Sequence, residues 1–323
     1  MNIVRIIVAV VLTVLLLVIA RKASRGHPED VNMTSNGVTL SMTTVPKGPE
    51  LGRARIDLVL TGMQSDANAV LRIVRTEKGE NAEDLSRFGV TPLILADSTK
   101  GTYFADLSCG PRGKELDYYI EVRDKDDHVA AEFKQIDGKP WRLRYIGDVP
   151  QPVLIGHIAF IFGSLFFISL AALQGLRLIG GGTEVRTMAL PLSLATFCAL
   201  IGGLPYGFAM NWYAFGGIWE GVPFGTDATD NKTQLLIVYL LFATLVSLGS
   251  LTRGKFGRDL FTSGVLGWIG AGSFVVALGI YLIPHSIQFS PAVTYGVCYS
   301  FIGLFALIYM MRLLTSRPAQ KRR

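Results

Sequence analysis

Charge is the first scarcity. Asp, Glu, Lys and Arg make up 17% of the 323 residues, and they crowd into Arg21–Asp148 and a few short loops, leaving the later apolar stretches uncharged in their central portions. Ion-coupled transporters, pumps and proton channels keep carboxylates or basic groups in the bilayer, because the coupled charge needs a partner there. The pattern therefore argues against a carrier driven by protons or sodium, though sites built from backbone carbonyls stay open. Cysteine is equally scarce, at three. Cys109 stands alone in the polar segment and has no disulfide partner within it, while Cys198 and Cys298 fall in apolar runs and read as packing residues. Reaction signatures are missing as well. There is no Gly-x-Ser-x-Gly nucleophile turn, no zinc-binding His-Glu-x-x-His and no Cys-x-x-Cys-His for a c-type haem. Gly180-Gly181-Gly182 runs into Thr183 and Glu184 without the lysine of a phosphate loop, and reads as a flexible turn. Enzymatic function has little positive support.

What is present is a segmentation. One apolar stretch, Ile6 to Ala20, precedes a polar run, and further apolar stretches follow at Pro152–Leu173, Met188–Met210, Gln234–Leu251, Leu260–Ile283 and Ala292–Leu314. A helix needs about 20 apolar residues to cross a bilayer. The expected architecture is an α-helical bundle of six transmembrane helices, one N-terminal and five C-terminal, with an inserted all-β sandwich domain. The boundaries read as an anchor over 1–25, the β domain over 31–148, the five-helix part over 152–314 with an aromatic outer loop at 206–233, and a basic tail over 315–323. Val18 and Ala20 also offer small residues for signal-peptide cleavage, but the apolar run reaches Ala20 without a polar spacer, which favours an uncleaved anchor.

Orientation follows from the basic loops. Arg177 and Arg186 flank one turn, Arg253, Lys255 and Arg258 sit in another, and Arg312, Arg317, Lys321, Arg322 and Arg323 close the chain. The positive-inside rule places all three in the cytoplasm. The β domain and the Asn211–Thr233 loop are then expected outside a cytoplasmic membrane, on the periplasmic side, with both termini inside. Arg21, Lys22 and Arg25 pull the other way and are outvoted by the three downstream loops. The net charge of +6 thus sits beside helix ends, where it sets orientation, and nucleic-acid binding is not expected.

The polar segment reads as strands. Leu116, Tyr118, Ile120 and Val122 alternate with Asp117, Tyr119, Glu121 and Arg123, the period of two of a half-buried strand. Asp124-Lys125-Asp126-Asp127 supplies a turn before Val129, Ala131 and Phe133 alternate again, which predicts a hairpin. With Gly37–Val45, Ile56–Leu60, Leu71–Ile73, Tyr103–Leu107 and Trp141–Tyr145, seven or eight short strands are expected at sandwich spacing. The runs Gly101–Leu107 and Leu116–Asp124 resemble the late strands of immunoglobulin-like or fibronectin-III-like extracytoplasmic domains. That resemblance implies a module that makes contacts rather than chemistry.

Three groups of residues are candidates for function. His157 and His285 fall at similar depth near the outer face, and two imidazoles from different helices can ligate one b-type haem or contact a quinone headgroup. In the outer loop, Glu220, Asp227, Asp230 and Asn231 offer oxygen ligands for a cation, although the spacing of an EF-hand is missing. Asp230 or Thr229 is alternatively expected to cap the helix that follows. Trp212, Trp219 and Phe224 in the same loop suit a headgroup region or a docking surface. Gly264, Gly267 and Ala271 belong to a small-residue run that lets helices approach closely, within the bundle or against another subunit.

These features rank three readings. The first is a non-catalytic accessory, scaffold or assembly subunit of a cytoplasmic-membrane complex, in contact with the lipid bilayer and with a membrane or extracytoplasmic protein partner. The second is a redox subunit holding one b-type haem or a quinone through His157 and His285. The third is a membrane sensor or transport accessory.

Overall fold

The computed structural model describes residues 3–23, 28–64, 67–77, 87–283 and 289–315. The chain divides into two compact units, one of Gly26–Val149 with Asn211–Gly217, the other of Met1–Arg25, Pro150–Met210 and Ile218–Arg323. The basic tail beyond 315, His285 and most of the polar stretch between Glu77 and Gly89 lie outside the described residues.

The first unit contains eleven strands among its described residues: β1 (Asp30–Ser35), β2 (Val38–Thr43), β3 (Lys47–Pro49), β4 (Arg53–Thr61), β5 (Asn68–Glu77), β6 (Gly89–Pro92), β7 (Ile94–Asp97), β8 (Thr102–Ser108), β9 (Lys114–Arg123), β10 (Val129–Phe133) and β11 (Trp141–Ile146). They form two sheets. One runs β1-β2-β4-β8-β7, the other β3-β11-β9-β5-β6, with β10 also pairing to β9. All pairings are antiparallel except β11 with β3. The two sheets share one apolar core: Leu40, Ile56, Leu58 and Leu107 come from the first, and Leu71, Leu116, Ile120 and Leu143 from the second. Each of these is 3% exposed or less, and full burial of such a side chain contributes about 1.5–3 kcal/mol. The arrangement agrees with a two-sheet sandwich. All seven expected strand segments are present, as β2, β4, β5, β8, β9, β10 and β11. The additional strands are β1, β3, β6 and β7, all four at sheet edges; β3, β6 and β7 are only three or four residues long, too short to show a period, and β1 alternates only Val31 and Met33 with polar residues.

The second unit is helical: α1 (Ile3–Ala23), α2 (Gln151–Ile179), α3 (Arg186–Gly203), α4 (Pro205–Phe215, which it shares with the first unit), α5 (Ala228–Val246), α6 (Leu248–Leu251), α7 (Ser263–Leu282) and α8 (Pro291–Thr315). Five segments among the described residues are long and apolar enough to cross a membrane: α1, α2, α3 with α4, α7 and α8. The expected third C-terminal span, Gln234–Leu251, is the exception. α5 opens on Ala228-Thr229-Asp230-Asn231-Lys232-Thr233-Gln234, and its helix breaks at Ser247 before the short α6, so its apolar part is too short to qualify. Its position explains the composition. Leu236, Ile237, Tyr239, Leu240, Phe242, Ala243 and Val246 are all buried within the helical core.

Polar side chains and glycines hold the helices together. Thr196 of α3 donates to the Leu240 carbonyl of α5 at 3.1 Å and meets the Thr244 hydroxyl at 2.8 Å. Tyr239 donates to the Ile269 carbonyl of α7 at 2.8 Å, and Ser164 of α2 to the Ala195 carbonyl of α3 at 3.1 Å. In a bilayer, where helices lack a hydrophobic driving force toward one another, such bonds and close backbone approach supply association energy. Backbone meets backbone between α2 and α7. A Cβ on Gly267 would lie 2.7 Å from the Gly175 carbonyl oxygen, and Ala271 packs on the same crossing. Gly264, by contrast, has nothing within 4 Å of where its Cβ would stand, so the small-residue run divides into a packed part and an open part.

Candidate functional site

The sheet built on β9 carries an unusual second face. Every residue from Glu115 to Val122 is buried, so the strand is covered on both sides. Leu116, Tyr118, Ile120 and Val122 enter the apolar core, and the opposite face presents Glu115, Asp117, Tyr119 and Glu121. Register brings arginines alongside: Arg142 lies opposite Asp117, Arg144 opposite Glu115, and Arg72 opposite Tyr119. Arg142 grips Asp117 with two bonds, Nε to Oδ1 at 2.7 Å and Nη2 to Oδ2 at 2.9 Å, and also pairs with Glu115 at 3.0 Å. Arg144 pairs with Glu115 at 2.8 Å. Glu121 accepts from Arg72 at 2.8 Å, from Arg123 at 2.9 Å and from the Tyr119 hydroxyl at 3.1 Å.

Burial pushes the Glu121 carboxyl up, but the hydrogen bonds from Arg72 and Arg123 outweigh it and hold the group below its ordinary value. Burial, together with the Glu121 charge, pushes Tyr119 up to about 12. Phe88 packs edge-on against Tyr119 at 5.1 Å, and the Lys134 ammonium lies over its ring at 4.7 Å. Sequence alternation assigned these carboxylates to a solvated face. The missed signal was the set of arginines at matching positions on β5 and β11, which becomes visible only once the register is known.

At the other side of β5, the run Gly89–Asp97 forms the outer strand of both sheets, β6 in one and β7 in the other. Leu93 between them is buried in the core and donates its N–H to the Ala69 carbonyl at 3.2 Å. Its neighbours point outward: Val90 is 56% exposed, Ile94 51% and Leu95 49%. Exposed apolar residues on an unpaired strand edge are what sheet proteins ordinarily avoid, unless another chain covers them.

The outer loop is braced by its own polar side chains. The cap of α5 is Asp227, whose Oδ1 accepts from the N–H groups of Thr229 at 2.8 Å and Asp230 at 3.1 Å. Asp230 and Thr229, expected as the cap, stand inside the first turn. Asp230 instead accepts from the Glu220 N–H at 2.6 Å. Asn231 accepts from the Val222 N–H at 2.7 Å, and Gln234 donates to the Val222 carbonyl at 3.3 Å, so two side-chain amides hold both ends of one residue's backbone. Trp219 shares that carbonyl at 3.3 Å and packs edge-on against Phe208 at 5.7 Å. Phe224 projects outward, 84% exposed. Trp212 belongs to the β unit, where the Arg112 guanidinium lies 5.5 Å from its ring and also donates to the Tyr213 carbonyl at 3.2 Å.

Glu220, Asp227 and Asp230 do not draw their oxygens within 4.8 Å of one another. Among the described residues only Asp124, Asp126 and His128 do so. That trio forms an exposed hairpin turn in which Asp124 accepts from the N–H groups of Asp126 and His128, both at 2.9 Å, and the bond from His128 leads the causes that lower its carboxyl. His157 of α2 has its Nδ1 3.0 Å from the Gly202 carbonyl of α3. Nδ1 can only donate to that oxygen, which leaves Nε2 as the ring's acceptor. Its expected companion, His285, lies outside the described residues.

Neither a known protein family nor any curated protein matches the chain.

Proposed function

We propose that the chain is a non-catalytic accessory or assembly subunit of a cytoplasmic-membrane complex, with an immunoglobulin-like β unit on the periplasmic side that holds an extracytoplasmic protein partner. The observation that carries this reading is the exposed apolar edge at Val90, Ile94 and Leu95, which suits a partner that adds a strand to β7 and seats alternate side chains. The five apolar helices support membrane embedding, α5 being the sixth span, shielded from lipid by its neighbours. Basic loops at Arg177–Arg186 and Arg253–Arg258 support the orientation.

The experiment is a photoreactive side chain at Leu95 in the intact cell. A discrete cross-linked band, lost when Ile94 is replaced by glutamate in the same chain, is the expected result. No band at Leu95, together with unchanged co-purification of the Ile94→Glu variant, overturns the reading.

One observation favours a second reading, a redox subunit with one b-type haem or a quinone near the outer face. The contact with Gly202 directs His157 so that Nε2 is left to accept, the arrangement in which a second bond orients a ligating imidazole. A visible spectrum of the purified chain tests it. A Soret band that His157→Ala removes supports it, and a spectrum without one removes the haem form.

A further inference from the structure

Where α2 ends and turns toward α3, Gln174, Arg177, Gly181, Thr183, Glu184 and Thr187 line an open crevice of about 230 Å³. Gln174 is only 4% exposed. Its Oε1 accepts from the Arg5 guanidinium of α1 at 3.2 Å, and this bond settles the orientation of the amide, leaving Nε2 with two donors that nothing accepts among the described residues. Arg177 stands three residues further along α2, on the same face. It has no carboxylate within 4.0 Å among the described residues, and Glu184 has no basic group within that distance. Both side chains are exposed. Thr187 is already committed, since its hydroxyl donates to the Glu184 carbonyl at 2.8 Å.

The crevice thus offers one positive and one negative charge that do not neutralise each other, plus a buried amide donor, at the end of an apolar helix. A simple anion would suit Arg177 and the Gln174 amide but meet Glu184. A zwitterion satisfies both. Among zwitterions, a quaternary ammonium is recognised by aromatic faces, and among the described residues no aromatic side chain lines the crevice, whereas a primary ammonium with three N–H donors suits a carboxylate. Leu176, 57% exposed beside Arg177, offers apolar surface of the kind an acyl chain covers.

We propose that this crevice binds a phosphoethanolamine group, with the phosphate on Arg177 and the Gln174 amide and the ammonium on Glu184. The inference rests on α2 and α3 lying in a membrane, and is independent of the partner assigned to the β unit. Two sources carry this chemistry, a phosphatidylethanolamine lipid and a soluble phosphoethanolamine ester.

The test uses the full chain in nanodiscs of phosphatidylcholine, alone or doped with phosphatidylethanolamine or phosphatidylglycerol, and in micelles with glycerophosphoethanolamine. Thermal stability and lipid retention in native mass spectrometry are read. Phosphatidylethanolamine is expected to be retained over the other two lipids. Arg177→Gln should weaken its binding about tenfold, as for loss of a charged hydrogen bond, with Arg177→Lys restoring part. Glu184→Gln should abolish the preference for ethanolamine over glycerol. A response to the lipid alone identifies the membrane as the source, and a response to glycerophosphoethanolamine identifies a soluble ester. Equal retention of all three lipids, or a preference untouched by both substitutions, overturns the proposal. Release of the chain from membranes by alkaline carbonate would instead defeat the membrane reading beneath it, and so the two failures are told apart.

Discussion

Gly175 of α2 and Gly267 of α7 face each other so closely that a Cβ on either would meet the other's carbonyl oxygen, at 2.5 Å for Gly175 and 2.7 Å for Gly267. Backbone is thus packed on backbone, and neither position has a flexible side chain that can move aside. Gly267→Leu is expected to destabilise the helical unit by about 1–3 kcal/mol or prevent its assembly. Gly264→Leu, three residues earlier with open space at its Cβ, should leave it within about 0.5 kcal/mol of the parent. Unfolding in mixed micelles distinguishes them, and equal losses at both sites would place the contact elsewhere.

The charged face of β9 makes a different prediction. Asp117 is 2% exposed in its side chain and held by two bonds from Arg142, so Asp117→Ala removes two charged hydrogen bonds from a partly exposed guanidinium that keeps its pairing with Glu115. The expected cost is about 1.5–3 kcal/mol. The exposed pair Arg55–Asp57, at 2.8 Å with side chains 51% and 60% exposed, is the control, and Asp57→Ala should cost about 0–1 kcal/mol. Chemical denaturation of the full chain reads both.

Acid should loosen this same face. The folded state holds the Glu121 carboxyl below its ordinary value of 4.5. The stability it contributes is therefore fully present above that value and is lost as pH falls through the lowered one. Hydrogen-exchange protection of the β9 amides should hold from neutral pH down to that ordinary value and fall below it. Arg72→Gln removes one of the bonds that lower the group and should make the acid-induced loss of protection smaller and complete it at higher pH. A loss of unchanged size would assign the acid response to other carboxylates.

In the outer loop, the cap and the brace are separable. Asp227→Ala should cost about 1 kcal/mol and Asp227→Asn much less, since asparagine caps nearly as well. Asn231→Leu removes the acceptor of the buried Val222 N–H and should cost about 1–3 kcal/mol. If thermal unfolding shows Asp227→Asn as harmful as Asp227→Ala, the carboxylate's charge matters beyond its capping bonds.

Legibility in the sequence followed the strength of the periodic signal. Leu116, Tyr118, Ile120 and Val122 announced β9 because one face repeats without interruption, whereas β6 and β7 are four residues each, with Pro92 and the buried Leu93 at their junction, leaving no period to detect. The helix α5 was placed by its apolar half, yet its opening polar turns are also buried, with Asp230, Asn231 and Lys232 each 6% exposed or less. A hydropathy reading cannot anticipate this, because their partners, the Glu220 and Val222 N–H groups and the Ile283 carbonyl, come from segments distant in sequence or lacking side-chain chemistry. The cap was misplaced for a related reason. Asp227, Thr229 and Asp230 are all competent, and only the backbone geometry at Asp227 selects among them.

Leu93 gives the run Gly89–Asp97 a mechanical character. It is the one buried residue among those nine, set between two strands that each end a different sheet. A pull on β7 loads its own ladder to β8 and, through Leu93 and β6, the ladder to β5, so that both sheets bear it rather than one peeling. The same economy is a vulnerability, since a protease that cuts beside Leu93 severs this link and leaves each edge strand held by one ladder alone.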